Sequence, residues 1–162
     1  MIIWIIGASG SGKTFFAKKL YKHFIKKKSF LVDGDEVRKY LTYKLGYKKK
    51  DRFLNSKYIQ DLCFYLEKKG FFVICAIQSI FPKHQKKNKK LFNRYIQIYL
   101  KSNLELIKSN KHKLKKFRRN VVGRDIVFPT PYKSDLIINN NFRNEKKILK
   151  EMLVVIKKKL KK

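Results

Sequence analysis

The opening of the chain constrains its fold more strongly than any other stretch. An apolar run, MIIWII at residues 1–6, leads directly into GASGSGKT at residues 7–14, and an amphipathic pattern follows. This order satisfies G-x-x-x-x-G-K-[ST] without a mismatch, with a strand before the loop and a helix after it. Backbone N–H groups in such a loop converge on phosphate oxygens, and the positive end of the helix points at them. The sequence therefore predicts a phosphate-binding loop.

The chemistry of this loop indicates ATP and Mg²⁺ as cofactors. Lys13 would reach the outer phosphates, and the Thr14 hydroxyl would ligate the metal. The predicted phosphate-binding residues are Gly7, Ala8, Ser9, Gly10, Ser11, Gly12, Lys13 and Thr14. The alternative is a Gly/Ser-rich turn that precedes a helix by chance, and the complete motif in its proper setting argues against it.

Short β-branched and aromatic runs alternate with longer amphipathic stretches along the chain. The predicted strands are residues 1–6, 29–33, 71–77, 95–100 and 135–139, and the predicted helices are residues 13–27, 35–43, 53–69, 84–93, 103–110 and 143–160. Continuous apolar strands separated by helices are typical of a parallel sheet that is buried on both faces. We therefore expect an α/β fold, a three-layer P-loop NTPase with a parallel five-stranded sheet and helices on both faces.

We expect residues 1–162 to form a single P-loop domain, because no linker or internal repeat divides the chain. Residues 108–132 are basic, contain two of the three prolines and lack clear periodicity at their end. Long irregular segments of this kind often cover a binding site. Residues 108–132 are therefore a candidate lid.

The net charge is extreme, since 42 Lys and Arg face 11 Asp and Glu for a formal charge of +31. A basic nucleic-acid-binding protein with a nucleotide site is therefore one alternative. However, only 7 of the 42 cations are arginines, whereas recognition of phosphate and guanine favours Arg. The lysines are also spread along the whole chain. The aromatic residues also fall mostly at apolar positions of predicted strands and helices. No dedicated nucleic-acid partner is expected.

The sequence offers little for a membrane or an oxidising compartment. The longest apolar stretch, Phe71–Ile77, is too short to span a bilayer. The basic tail at residues 143–160 could lie on an anionic membrane, but its apolar residues are spaced to cover a sheet face. Cys63 and Cys75 are not spaced for zinc and are interpreted as buried thiols. We expect a cytoplasmic protein without a membrane partner.

The scarce carboxylates are concentrated in VDGDEVR, residues 32–38. Asp33 and Asp35 lie at the predicted carboxyl end of the second strand, which is the edge where open parallel sheets bind ligands. A carboxylate there can orient the water around Mg²⁺ or accept the proton of an attacking hydroxyl. The alternative is that Asp33 or Asp35 only caps the helix that follows. Glu36 is expected on a solvated helix face.

Together these motifs resemble the adenylyl-sulfate kinase family of P-loop enzymes. The resemblance is carried by GASGSGKT, VDGDEVR, LGYKKKDRFLN (residues 45–55), SIFPKHQ (residues 79–85) and NVVGRDIVFPTPYKSDLIIN (residues 120–139), in the family's order and spacing. It implies transfer of the γ-phosphoryl group of ATP to the ribose 3′-hydroxyl of adenosine 5′-phosphosulfate. Dimers are common in this family, so the resemblance also implies a possible homodimer.

The resemblance assigns roles to the polar residues near the predicted crevice. Asp35 would be the base at the acceptor hydroxyl, and Asp33 would be its partner near Mg²⁺. Arg38, Arg52 and Asn55 would bind the anionic tail of the acceptor, a task that suits forked guanidinium groups. For Arg52 and Asn55 the alternative is a solvated position on the surface of a helix.

The same resemblance places the acceptor base. Tyr47 would stack on it, and the backbone around Ile80 and Pro82 would line its pocket. Family members usually have Phe where this chain has Val121, so one half of the expected aromatic sandwich is missing. Phe81 stands where the family has Ser and adds bulk in the same region. We therefore expect an altered base pocket.

These departures leave two acceptors open. The family's Lys-Gly-Leu-Tyr lid motif is absent, and Lys111 or Lys113 could replace its lysine. A branch that resembles adenylyl-sulfate kinases phosphorylates cytidine diphosphoramidate, for phosphoramidate decoration of bacterial capsules. Its acceptor is also a nucleotide with an anionic tail, so the same catalytic residues would serve both reactions. Adenosine 5′-phosphosulfate and cytidine diphosphoramidate are therefore both candidate acceptors.

Overall fold

The computed structural model describes residues 1–103, 105 and 119–161. The strands are β1 (Ile2–Ile6), β2 (Ser29–Asp33), β3 (Phe72–Ala76), β4 (Tyr95–Lys101) and β5 (Leu136–Asn139). The helices are α1 (Lys13–His23), α2 (Gly34–Tyr40), α3 (Lys49–Lys68), α4 (Pro82–Leu91) and α5 (Glu145–Leu160). The strands agree with the predicted ones to within one or two residues.

The five strands form one parallel sheet in the order β2-β3-β1-β4-β5. All five residues of β1 are buried, because side chains that alternate along a strand enter the two opposite layers of the core. Ile3 and Ile5 belong to the apolar cluster that includes residues of α1 and α5. Ile2 and Trp4 belong to the second cluster, with residues of α3. The predicted three-layer α/β fold is confirmed.

Helix α5 packs its apolar face against the sheet, whereas the alternative was that this face lies on an anionic membrane. Ile148, Met152 and Ile156 are 5%, 0% and 0% exposed in the cluster beneath α5. This face is therefore committed to the sheet. None of the helices in the described ranges is long and apolar enough to cross a membrane.

Several helix limits differ from those predicted. Helix α3 begins at Lys49 rather than residue 53, because the Asp51 carboxylate accepts a hydrogen bond of 3.2 Å from the Lys48 N–H and so satisfies the helix start. Helix α4 begins at Pro82, a residue that is favoured in the first turn. Helix α1 ends at His23.

The candidate lid falls only partly within the described residues. Residues 106–118, which include Lys111 and Lys113 and most of the predicted helix at 103–110, lie outside them. Residues 119–132 form an irregular segment with an isolated bridge between Val122 and Ile126. This segment reaches the phosphate-binding loop, since the Ser9 N–H donates to the Val122 carbonyl at 3.2 Å. A role as a lid stays a prediction.

Replacing Met152 by alanine should lower the free energy of unfolding by about 2–5 kcal/mol, because the side chain is fully buried and its loss leaves a cavity. Val154 lies on the opposite face of α5 and is 58% exposed. Val154→Ala should therefore change the free energy of unfolding by less than about 0.5 kcal/mol. Denaturant titration measures both variants, and equal effects would contradict the described packing of α5.

Candidate active site

The loop at residues 7–14 needs glycine at two positions because neighbouring groups approach closely. A Cβ on Gly7 would lie 2.5 Å from the Leu100 carbonyl oxygen. Gly12 has φ +93° at the start of α1, and a Cβ there would lie 2.9 Å from Asn140 Nδ2. Asn140 is only 4% exposed and donates to the Ser11 carbonyl at 3.0 Å. The loop is thus held against the ends of β4 and β5.

Lys13 is folded back onto the loop. Its Nζ donates to the Ala8 carbonyl at 2.6 Å, and the side chain is half-buried. Burial lowers the pKa of Lys13 from 10.5 to about 8, while the charges of Asp35 and Asp33 oppose this change. An anion in front of the loop would favour the charged amine further. Lys13 is therefore placed to bind negative charge.

One carboxylate joins the loop helix to the acidic segment. Asp33 is the N-cap of α2, and its Oδ1 accepts from the N–H groups of Asp35 at 2.9 Å and Glu36 at 3.3 Å. Its Oδ2 accepts from the Thr14 hydroxyl at 2.6 Å. The capping alternative is thus correct for Asp33, but this residue also contacts the phosphate-binding loop. Asp35 is not the cap of α2.

Asp35 lies in the first turn of α2, where a carboxylate is favoured by the helix dipole. It is exposed and lines the same cavity as Lys13 and Thr14. Burial lowers the pKa of both Lys13 and Arg52, and the negative charge of Asp35 partly offsets this lowering. Gly34 allows this approach of α2 to the sheet, since a Cβ there would meet Ile77 Cγ1 at 3.2 Å. Two carboxylates of the acidic segment, Asp33 and Asp35, therefore line the cavity.

The cavity occupies the carboxyl edge of β1, β2 and β3 and has a volume of about 440 Å³. It is lined by Ser9, Gly10, Gly12, Lys13, Thr14, Phe15, Lys18, Asp33, Gly34, Asp35, Arg38, Arg52, Asn55, Ser56, Ala76, Ile77, Gln78, Ser79, Ile80 and Phe81. Residues of the phosphate-binding loop and five of the predicted acceptor-binding residues, Asp33, Arg38, Arg52, Asn55 and Ile80, thus line one cavity.

Arg52 is buried rather than solvated, at 7% exposure. Its guanidinium donates to the Tyr47 carbonyl at 2.9 Å, to the Asn120 carbonyl at 2.7 Å and to the Gln78 side chain. Burial and the neighbouring Arg38 lower the pKa of Arg52, and Asp35 raises it. Arg52 therefore ties three loops together while it lines the cavity. The solvated-surface alternative was wrong for this residue.

Asn55 and Arg38 present polar atoms beside Arg52. Asn55 is 2% exposed, and its Nδ2 donates to the Gly34 carbonyl at 3.2 Å. Arg38 Nη1 donates to the Gly46 carbonyl at 3.2 Å. Within the described part of the chain, Asn55 Oδ1 and Arg38 Nε are buried without a hydrogen-bond partner. Such atoms are costly unless a ligand satisfies them. For Asn55 the solvated alternative was also wrong.

Three predicted acceptor residues do not line this cavity: Tyr47, Pro82 and Val121. The Tyr47 ring lies against two guanidinium groups, with Arg38 Cζ 4.6 Å and Arg52 Cζ 5.5 Å from its centroid. Pro82 is exposed at the start of α4. Val121 is 3% exposed, and its N–H donates to Asp125 Oδ2 at 2.9 Å. Gly7, Ala8 and Ser11 lie behind the cavity-lining residues of the loop.

Sequence reasoning missed a buried polar group that shapes the far wall. Gln85 is fully buried, and its Nε2 donates to the Ser79 carbonyl at 2.7 Å, where Ser79 has φ +50°. Its Oε1 accepts from the Tyr132 N–H at 2.6 Å. Gln85 therefore links the Ser79 turn to the segment before β5. The only sign of Gln85 in the sequence is an uncharged polar residue within a lysine-rich helix.

The fold is that of the P-loop kinases. A shikimate kinase from Acinetobacter baumannii superposes with a TM-score of 0.66 at 15% identity, covering 96% of this chain and 92% of that one. The structure of the Mycobacterium tuberculosis APS kinase in complex with AMPPNP and APS superposes with a TM-score of 0.85 at 21% identity and covers 96% of each chain.

The sequence comparisons define the family within this class. The family model for adenylylsulphate kinase matches residues 1–139, and the chain belongs to that family. A cytidine diphosphoramidate kinase of Campylobacter jejuni is 35% identical over 98% of this chain and 95% of its own length. An adenylyl-sulfate kinase of Clostridium kluyveri is 27% identical over 94% and 81%. The protein is thus a nucleotide kinase with a hydroxyl group as acceptor, as predicted.

The lowered pKa of Lys13 predicts a pH-dependent contribution to stability. Below about pH 8 the folded protein bears the full cost of burying the charge, and between pH 8 and 10.5 the folded state releases this proton before the unfolded state does. Relative to Lys13→Met, the unliganded wild-type protein should therefore gain on the order of 1–3 kcal/mol between pH 7 and pH 10. Denaturant titrations of both proteins measure this difference, and a constant value would contradict the burial of the amine.

Proposed function

We propose that the protein transfers the γ-phosphoryl group of ATP to the ribose 3′-hydroxyl of a nucleotide that carries an anionic tail. The observation that carries this proposal is that Lys13, Thr14 and Asp35 line the same cavity. A loop that binds phosphates supplies the donor side, and a carboxylate across the gap supplies a proton acceptor. The reaction needs both groups within one site.

Residues 7–14 would hold the phosphates of ATP, with backbone N–H groups and the start of α1 directed at them. Lys13 would exchange its bond to the Ala8 carbonyl for contacts with phosphate oxygens. Burial lowers the pKa of Lys13. A phosphate anion would raise this pKa again, because a nearby negative charge favours the protonated amine. The loop thus binds the donor and neutralises charge on it.

The donor atoms present fit Mg²⁺. The Thr14 hydroxyl oxygen and Asp33 Oδ2 lie 2.6 Å apart at the loop, and both are oxygen ligands of the kind that Mg²⁺ prefers. Proteins usually bind Mg²⁺ through one or two such groups together with phosphate oxygens and water. Across the described ranges no group of three or more His, Cys, Asp or Glu could hold a metal ion. Thr14 and Asp33 would therefore hold Mg²⁺ together with the nucleotide. The ion would neutralise charge on the transferring phosphate.

Asp35 would position the acceptor hydroxyl and take its proton as the phosphoryl group moves. Asp33 holds the Asp35 backbone N–H at 2.9 Å, so the position of this turn is set by the cap. Among the residues that the structure describes, Arg38 Nε and Asn55 Oδ1 are buried atoms without a hydrogen-bond partner, and both residues line the cavity. Together with Arg52 they would bind the acceptor's tail and ribose. The acceptor would then lie in line between Asp35 and the donor phosphate.

Cytidine diphosphoramidate is the acceptor that we favour. The Campylobacter jejuni relative with that name matches nearly the whole length of both chains at 35% identity. The altered base pocket, with Val121 and Phe81 in place of Phe and Ser, points the same way. Adenosine 5′-phosphosulfate is the second candidate, because the matching family model and relatives such as the Clostridium kluyveri enzyme carry the name of its kinase.

The surroundings of the reaction follow from the same proposal. The partner would be a small-molecule nucleotide rather than a nucleic acid, since the chain belongs to the adenylylsulphate kinase family. The expected burial of the aromatic residues holds only in part, because Phe30, Tyr40 and Tyr65, among others, are exposed. We keep a cytoplasmic location, a role in capsule biosynthesis and a homodimer as parts of the proposal. They rest on the sequence and on the family resemblance.

A side-by-side assay of the two acceptors with Mg-ATP tests the function. We expect cytidine diphosphoramidate to be phosphorylated with the higher kcat/KM, and removal of Mg²⁺ by a chelator to abolish turnover. Product analysis by mass and by phosphorus NMR identifies the modified hydroxyl. Preference for adenosine 5′-phosphosulfate would reverse the acceptor assignment, and no turnover with either nucleotide would refute the proposed function.

Asp35→Asn should lower kcat by about 10²- to 10⁴-fold, because the amide can still hydrogen-bond but cannot take a proton at neutral pH. Binding of ATP, measured by calorimetry, should remain within about threefold, since the phosphates contact the loop. Glu36→Gln is the matched control, because it also removes one negative charge and Glu36 is exposed. This variant should keep kcat within about twofold of wild type. Equal losses in both variants would contradict the role of Asp35.

A further inference from the structure

An aromatic cluster adjoins the cavity through Phe81. It consists of Phe53, Phe81 and His84, and we call it the aromatic corner. The centroids of Phe53 and Phe81 are 5.3 Å apart at 83°, and those of Phe53 and His84 are 4.5 Å apart at 49°. Phe81 is half-buried and lines the cavity. Phe53 stands behind it and is 44% exposed.

Neither of the two positions at which the family stacks aromatic rings on the acceptor base, Tyr47 and Val121 in this chain, lines the cavity. The Tyr47 ring is engaged by the guanidinium groups of Arg38 and Arg52 and does not line the cavity. Val121 has no ring and is 3% exposed. A nucleotide whose tail contacts Arg38 and Asn55 therefore needs a different apolar surface for its base. Phe81 supplies a ring beside Ser56 and Ile80 in the same wall.

The ring of Phe81 is held in place by its surroundings. It precedes Pro82 at the start of α4, and the preceding turn is fixed by the bond from Gln85 to the Ser79 carbonyl. Phe53 meets the ring in a T-shaped contact, and the His84 ring lies 5.5 Å from it at 49°. Phe81 still lines the cavity beside these two neighbours. His84 is positioned by a 2.9 Å contact between its Nδ1 and the Ser56 hydroxyl. A ring fixed in this way loses little freedom when a ligand stacks on it.

His84 supports the corner as a neutral ring. Burial, together with the positive charges of Lys87 and Lys57, lowers the pKa of His84. The lowered pKa favours the neutral imidazole, and the ring packs against Phe53 as an aromatic group. An apolar corner beside the arginines is suited to the flat face of a nucleobase.

We propose that Phe81 stacks on the base of the acceptor nucleotide and is a specificity-determining residue of this enzyme. This inference rests on the proposed function only in that the acceptor is a nucleotide. The ring of Phe81 would stack on the base in place of Tyr47 and Val121, which do not line the cavity. Its bulk also narrows the acceptor end of the cavity, which accords with a pyrimidine base.

The test is a binding measurement that needs no turnover. Cytidine 5′-diphosphate is titrated by calorimetry into protein saturated with a non-hydrolysable ATP analogue. Phe81→Leu keeps apolar bulk without a ring and should raise the Kd by about 5- to 100-fold, in line with base–aromatic stacking. Phe81→Tyr keeps the ring and should bind within about threefold of wild type. Phe30→Leu is the matched control, because Phe30 is 42% exposed on β2 and lies outside the cavity.

Unchanged affinity in Phe81→Leu would overturn the inference, as would an equal loss in Phe81→Tyr or the absence of cytidine 5′-diphosphate binding to wild type. Melting temperatures check folding, and Phe81→Met serves as a second ring-free variant if the leucine variant is unstable. Failure of the proposed function is a separate result. Ring-dependent binding without phosphorylation of either acceptor would refute the kinase reaction and support the role of Phe81.

Discussion

The carboxylate of Asp33 joins the two halves of the candidate active site. One oxygen satisfies the N–H groups at the start of α2, and the other accepts from Thr14 in the phosphate-binding loop. The first N–H groups of a helix have no partner within the helix and need such a cap, and an ionised cap forms strong hydrogen bonds. The same bonds determine where Asp35 lies relative to Lys13. The geometry of the candidate active site therefore depends on a carboxylate that also caps a helix.

Positive charge inside this site is costly, and the protein offsets the cost in different ways. Arg52 is held by two backbone carbonyls and the Gln78 side chain, whereas Lys13 has a lowered pKa and one contact to the Ala8 carbonyl. Arg52 is therefore a fixed part of the wall, and Lys13 can move toward a phosphate. Neighbouring Asn55 keeps a buried oxygen unsatisfied within the described residues. This oxygen is an acceptor that suits a hydroxyl donor, whereas the cationic groups suit an anion.

The phosphate-binding loop and the placement of Asp33 and Asp35 could be predicted because both depend on local patterns. A glycine-rich loop between a strand and a helix has one well-known geometry, and an acidic segment after a parallel strand must lie at the same edge. The burial of Arg52 could not be predicted this way, because its partners Gln78 and Asn120 are 26 and 68 residues away. The same limit applies to Asn140, which supports Ser11 across 129 residues of sequence.

The amino-acid sequence by itself determined the three-layer α/β fold, the five parallel strands and the loop that faces them, because hydrophobic periodicity and glycine chemistry act over short stretches. Only the tertiary structure decided which side chains line the acceptor end. It placed the Tyr47 ring against arginines, buried Val121 and left Phe81 in the cavity wall. These outcomes depend on packing between α3, α4 and the segment before β5, and packing between distant segments is not encoded in any local pattern.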